Sequence, residues 1–107
     1  KTFQFKCEGE SIEDIDMDDK VSIFRIVQAF AMLTAISKKG KKVQIEINYN
    51  KPQLHIQLIS GSGTEFDPQS KEYKIIISRV EYFAGQIIQT RNSKENLIDI
   101  KFLIPNT

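Results

Sequence analysis

The residues able to carry chemistry in this chain are few. It holds one histidine, His55, and one cysteine, Cys7. His55 lies in the alternating stretch Leu54-His55-Ile56-Gln57-Leu58, on the polar side, with no acid or cysteine beside it in sequence. It reads as a surface histidine rather than a general base or phospho-acceptor. Cys7 alternates with Phe3 and Phe5, on the apolar side of an opening strand, and reads as a packed, inert thiol. The run Asp14-Ile15-Asp16-Met17-Asp18-Asp19 offers oxygen donors of the kind calcium takes. It lacks the mid-loop glycine, and Arg25 stands where a closing glutamate is needed, so it reads as a solvated loop ahead of a helix. Gly61-Ser62-Gly63 could face a phosphate, but a lone Gly-x-Gly is a weak signal and a flexible strand exit accounts for it. Lys38, Lys39, Lys41 and Lys42 form a basic knot; its default reading is a solvated helix end that complements the helix dipole. No Ser/His/Asp set, metal-ligand spacing or aromatic-basic interleaving is present.

The elements that must position these residues can be read from periodicity. The 107 residues are 40% apolar and 27% charged, the composition of one globular domain. A net charge of +1 gives no global attraction to nucleic acid or acidic lipid. No apolar run approaches the roughly 20 residues of a membrane span. One cysteine fits a reducing, cytoplasmic setting. The start at Lys1-Thr2-Phe3, without Met, suggests the C-terminal part of a longer protein. Thr2 to Cys7 alternates and reads as a strand. A helix is expected from about Lys20 to Ser37, capped by Asp18 or Asp19 and stopped by Gly40. Val43, Ile45, Ile47 and Tyr49, then Leu54, Ile56 and Leu58, alternate on either side of the turn Asn50-Lys51-Pro52. From Lys71 to Ala84 the period returns to that of a helix, with Tyr73, Ile76, Ile77, Val80, Phe83 and Ala84 on one stripe and Gly85 as the stop. Gln86 to Arg91 and Leu97 to Pro105 form a second hairpin around Ser93-Lys94-Glu95-Asn96. The order is β-α-β-β-α-β-β. It predicts an α+β two-layer sandwich, with two helices on one face of a mixed, mostly antiparallel five-stranded sheet.

Several stretches within this order resemble the ATP-binding domain of sensor histidine kinases, the GHKL or Bergerat fold shared with gyrase, the Hsp90 chaperone and MutL. Phe24-Arg25-Ile26-Val27-Gln28 is similar to the Tyr-Arg-Ile-Val-Gln that opens the first domain helix in the nitrate-sensor-like branch. Lys41-Lys42-Val43-Gln44-Ile45-Glu46-Ile47 fits the next strand. Arg79-Val80-Glu81-Tyr82-Phe83-Ala84-Gly85 resembles the Arg-Val-Glu-x-Leu-Gly-Gly that ends the last helix, and Ile104-Pro105 the close of the last strand. The likeness covers roughly Val21 to Pro105.

The same resemblance implies a nucleotide pocket, and there the chain departs from the pattern. The family's Glu-x-x-x-Asn, whose Asn holds the phosphate-bridging magnesium, falls on Ala29 and Leu33; neither offers the hard oxygen that magnesium takes. The adenine-binding Asp falls on Ser60, or on Ile59 if Gly61 and Gly63 are matched to the following glycines. The Gly-x-Gly at the start of the last helix falls on Ser70 and Glu72, and the lid shrinks to about Asp67-Pro68-Gln69. The first helix adds a physical argument. Ile23, Val27, Phe30, Ala31 and Thr34 form the expected core stripe. Arg25, Ala29, Met32, Leu33 and Ile36 form a second, largely apolar side, where the family holds its nucleotide. Bare apolar surface of that extent is disfavoured, so the pocket is either filled or meets a partner.

The expectation is therefore a degenerate histidine-kinase-type domain without cofactor, acting as a docking or regulatory module in two-component or phosphorelay signalling. It resembles the C-terminal domain of bacterial histidine phosphotransferases, in which a kinase-derived domain sits beside a helical hairpin. The expected partner is a response regulator or a kinase helical-hairpin domain, meeting Met32, Leu33, Ile36, Lys39 and Lys41. The alternative is a working kinase domain that binds ATP with magnesium through divergent motifs.

Overall fold

A computed structural model of the chain describes residues 2–36, 42–61 and 67–104. Strand β1 (Thr2–Gly9) leads through a single 3-10 turn (Ile12–Asp14) into helix α1 (Met17–Ile36). Strands β2 (Lys42–Asn50) and β3 (Gln53–Gly61) follow, then helix α2 (Lys71–Tyr82) and strands β4 (Gln86–Arg91) and β5 (Glu95–Leu103). All five strands join one sheet in the order β1-β2-β3-β5-β4. β1 runs parallel to β2, as a strand reached through a helical crossover must, and the other pairings are antiparallel. The mixed five-stranded sheet with two helices is the architecture that the periodicity predicts.

Register follows from one apolar face. Ile45 pairs with Leu58, Ile47 with Ile56, and Ile56 with Ile100, so the alternating apolar residues of three central strands share one side. Val43, Ile45, Ile47, Tyr49, Leu54, Ile56, Leu58, Ile98, Ile100 and Phe102 are all buried there. A one-residue slip would turn the whole set to solvent.

α1 begins three residues before the expected start. The Asp16 carbonyl accepts the first helical bond from the Lys20 N–H at 2.9 Å, which makes Asp16 the capping position. Asp18 and Asp19 then lie inside the first turn, beside the positive end of the helix dipole. The buried arc of α1 also differs from the expected stripe. It runs through Ser22, Ile23, Ile26, Ala29, Phe30, Leu33 and Thr34, while Val27 and Ala31 are only half-buried. The helix is rolled toward α2. Arg79 of α2 donates to the Ser22 hydroxyl at 3.5 Å, and the side expected to hold a nucleotide or a partner is partly taken up by this packing. The Thr34 hydroxyl, buried in the arc, is satisfied within its own helix by the carbonyls of Phe30 and Ala31 at 3.1 and 2.9 Å.

β1 keeps the predicted parity, with Phe5 opposite Ile45 and Cys7 opposite Ile47. Yet Phe5 is 52% exposed and Cys7 is exposed. The expectation of a packed thiol is corrected: β1 is an edge strand, and among the described residues no helix covers its apolar side.

The end of α2 also departs from expectation. The Gly85 N–H bonds the Val80 carbonyl at 3.0 Å and the Ala84 N–H bonds the Glu81 carbonyl at 2.9 Å. This is the six-to-one and five-to-two pattern of a Schellman motif. Its left-handed residue is Ala84, at φ 52°, where glycine is the usual occupant. Gly85 serves a different need, since a Cβ there would lie 2.8 Å from the Lys101 carbonyl oxygen and 2.9 Å from Phe102 Cβ. The turn thereby brings Phe83 flat against Phe102, with ring centroids 4.1 Å apart.

Two predictions follow from these contacts, both read by urea denaturation. Ala84→Gly is expected to raise stability by about 0.5–1 kcal/mol, because glycine removes the left-handed strain net of its greater unfolded entropy. Gly85→Ala is expected to lower it by about 1–3 kcal/mol through the backbone clash. On α1, Leu33→Ala is expected to cost about 2–4 kcal/mol, whereas Met32→Ala at a 52% exposed position stays within about 0.5 kcal/mol; equal losses would contradict the observed roll of α1.

Candidate functional site

α1 and α2 pack side by side over the sheet and leave a cleft of about 240 Å³ between them. Arg25, Gln28, Ala29 and Met32 of α1 line one wall; Lys71, Glu72 and Ile75 of α2 line the other. Spacings of three and four residues bring the α1 group to one side of its helix. Arg25 Nη1 donates to Gln28 Oε1 at 3.2 Å, which holds both side chains along the rim. Ala29 is only 3% exposed, so the cleft presents a methyl group at that point.

The α2 wall begins at a well-formed cap. The Ser70 hydroxyl accepts the Tyr73 N–H at 3.2 Å. The Asp67 carboxylate accepts the Gln69 N–H at 2.9 Å, and the Ser70 N–H bonds the Asp67 carbonyl at 2.9 Å. The N–H groups of Gln69, Ser70 and Tyr73 are thus engaged within the chain. Glu72 follows in the first turn, where its charge suits the helix dipole and opposes a second anion.

The other anticipated positions lie at the end of the sheet. Ser60 is fully buried, opposite Val43 on β2 and Asn96 on β5, and its hydroxyl has no hydrogen-bond partner among the described residues. The Asn96 amide donates to the Gly61 carbonyl at 3.5 Å, and Lys42 pairs with Glu95 at 3.7 Å at the same end.

Of the anticipated pocket residues, the structure therefore brings Ala29 and Glu72 into one cleft. Leu33 is 5% exposed and sits in the buried arc. Ser60 and Gly61 close the sheet, and Ser70 caps α2. Gly63 lies outside the described residues. Of the anticipated partner surface, Met32 is exposed and Leu33 is not; the Ile36 side chain, Lys39 and Lys41 lie outside the description. Sequence reasoning missed Lys71 and Ile75. A cation directly after a capping serine was the available signal for Lys71.

At Ala29 and Leu33, the positions that the resemblance gives to the Glu and the magnesium-holding Asn, the side chains carry only carbon. The cleft's own chemistry is two cations, Arg25 and Lys71, one carboxylate, Glu72, and an apolar floor.

His55 is not as isolated as its sequence neighbours suggest. Its Nε2 contacts the Asp99 carboxylate of β5 diagonally across the strand pair. The pair lies on the open face of the sheet, near a shallow recess of about 150 Å³ that also involves Lys6, Glu46 and Gln57. No described helix is long and apolar enough to cross a membrane.

No protein-family model and no curated sequence matches the chain. Solved structures do. The histidine kinase domain of the blue-light activated histidine kinase from Erythrobacter litoralis EL346 superposes with a TM-score of 0.73 at 12% identity, over 95% of this chain and 55% of that one. The Acinetobacter baumannii histidine kinase AdeS gives 0.70 at 11% identity, over 97% of this chain and 54% of that one. The catalytic domain of histidine kinase ThkA, in a nucleotide-free form, gives 0.62 at 13% identity, over 95% and 78%. The chain thus spans about half the length of the first two. A two-layer sandwich in this strand order, superposing over nearly its whole length at such low identity, has the fold of the histidine kinase catalytic domain, the GHKL ATPase fold.

Proposed function

We propose that this chain is a histidine-kinase-type domain that has lost nucleotide binding and serves as a docking or regulatory module in two-component or phosphorelay signalling. The observation that carries the reading is the α1 wall of the cleft, where the buried Ala29 presents a methyl group at the place the resemblance gives to an acidic side chain. By the same resemblance the acidic side chain organises or activates the attacking group, and the magnesium-holding Asn falls on Leu33, a buried side chain with no oxygen to offer. The cleft's size agrees, since about 240 Å³ is below the roughly 300–1,000 Å³ of small-molecule sites. Glu72 on the opposite wall adds a charge that repels phosphate. The partner is a response regulator or a kinase helical hairpin, met by Met32 and by the basic segment that includes Lys39 and Lys41.

One observation favours the second reading, a working ATP-binding domain with divergent motifs. Arg25 and Lys71 face the cleft from opposite walls, and two cations suit a polyphosphate. Calorimetric titration with ADP and with a non-hydrolysable ATP analogue, each with magnesium, separates the two. The proposed function expects no heat and no thermal shift at millimolar nucleotide. A micromolar Kd, lost in Arg25→Ala and Lys71→Ala, would establish the second reading instead. For the docking role, charge reversal at Lys39 and Lys41 is expected to weaken binding to the cognate response regulator or hairpin domain at least tenfold; unchanged affinity would remove the basic segment from the interface.

A further inference from the structure

The last turn of α2 and the first turn of α1 frame a second surface. It lies at the opposite end of α2 from the cleft, about 15–18 Å along the helix axis. Two hollows adjoin there. One, of about 410 Å³, is bounded by Asp19 and Tyr82; the other, of about 360 Å³, reaches Gln53 and Lys101. They share Phe83, Ala84 and Leu103, so together they make one trough over the Phe83 ring. Its apolar walls stand in solvent: Tyr82 is 59% and Leu103 61% exposed. Large side chains exposed side by side mark interaction surfaces more often than single exposed residues do.

The backbone at the centre of the trough is under strain. Ala84 occupies the left-handed region at φ 52°, where glycine would sit without penalty. Ala84 lines both hollows.

The charge at one end is unbalanced in the same place. Asp16, Asp18 and Asp19 crowd the start of α1. Burial, and then the Asp16 charge, push the Asp19 carboxyl above the usual carboxylate range, with Asp18 adding to the rise; the Tyr82 hydroxyl, donating to Asp19 at 3.4 Å, pulls the other way. Among the described residues no lysine or arginine pairs with any of the three. The nearest in sequence, Lys20, donates instead to the Glu13 carbonyl at 3.1 Å. An incoming cation would meet Asp19 at the Tyr82 end of the trough, with the charges of Asp16 and Asp18 beside it and Lys101 at the far end, while a nucleic acid or an acidic lipid surface would be repelled from the acidic end.

We propose that this trough docks a basic amphipathic segment of a protein partner, with an apolar side chain seated between Tyr82, Ala84 and Leu103 and a lysine or arginine on Asp19. The surface is independent of the α1–α2 cleft and of what that cleft binds.

The test is an amide chemical-shift titration of the chain with two synthetic helical peptides of the same pattern, one of leucine and lysine, the other with glutamate at every lysine. The leucine–lysine peptide is expected to move the amides of Asp19, Tyr82, Ala84 and Leu103 and to bind at least tenfold tighter than its glutamate counterpart. Asp19→Asn combined with Asp16→Asn should weaken it about tenfold, and Leu103→Asp, at an exposed position that leaves the core intact, should abolish it. Equal affinity for both peptides, shifts centred elsewhere, or no binding would overturn the proposal. So would shifts of the same amides on raising protein concentration alone, because a second copy would then be the occupant.

Discussion

The sheet has one apolar face and two helices to cover it, and most of what distinguishes this domain follows from how that cover is shared. Three central strands present an unbroken set of buried side chains from Val43 to Phe102. Removing that surface from water, at about 25 cal/mol per Å², is the main favourable term available to a chain of 107 residues. α1 must serve two neighbours at once, the sheet below and α2 beside it. Its buried arc is accordingly wide, from Ser22 through Ile26 to Thr34, and centred on neither neighbour alone.

That roll sets the character of the cleft. Leu33 is buried on the same helix, and Ala29 lies at the floor of the cleft between α1 and α2. A small side chain at that point lets the helices approach, and the volume that remains is modest. The charged residues are then confined to the rim, Arg25 on one helix and Lys71 and Glu72 on the other. The cleft thus combines an apolar floor with mixed charge at its mouth.

The same economy leaves apolar side chains uncovered at both ends of the cover. β1 is an edge of the sheet, and neither described helix extends over it, so Phe5 and Cys7 lie on the apolar side of the sheet but stay uncovered. At the far end, the Schellman turn after α2 presses Phe83 onto Phe102 and leaves Tyr82 and Leu103 in solvent. Both areas arise because two helices of 20 and 12 residues cannot span a five-stranded sheet edge to edge.

Local pattern was enough for the elements, their order and the inward side of each strand. Period-two alternation decides which residues of β2, β3 and β5 face the core, and the 3.6-residue period from Lys71 decides where α2 runs. Whether Ala29 and Leu33 would line a cleft or enter the core was not legible in local pattern. A helix flanked by both a sheet and another helix has two apolar demands, and a stripe drawn for one of them places Val27 and Ala31 inside and passes over Ile26, which is fully buried. The His55–Asp99 contact joins residues 44 apart in the chain, and no local spacing encodes a diagonal across β3 and β5. The left-handed position after α2 fell to Ala84 rather than Gly85 because the close approach to Lys101 and Phe102 requires the glycine. Tertiary structure alone decided these points, since each depends on what a neighbouring element places opposite a residue.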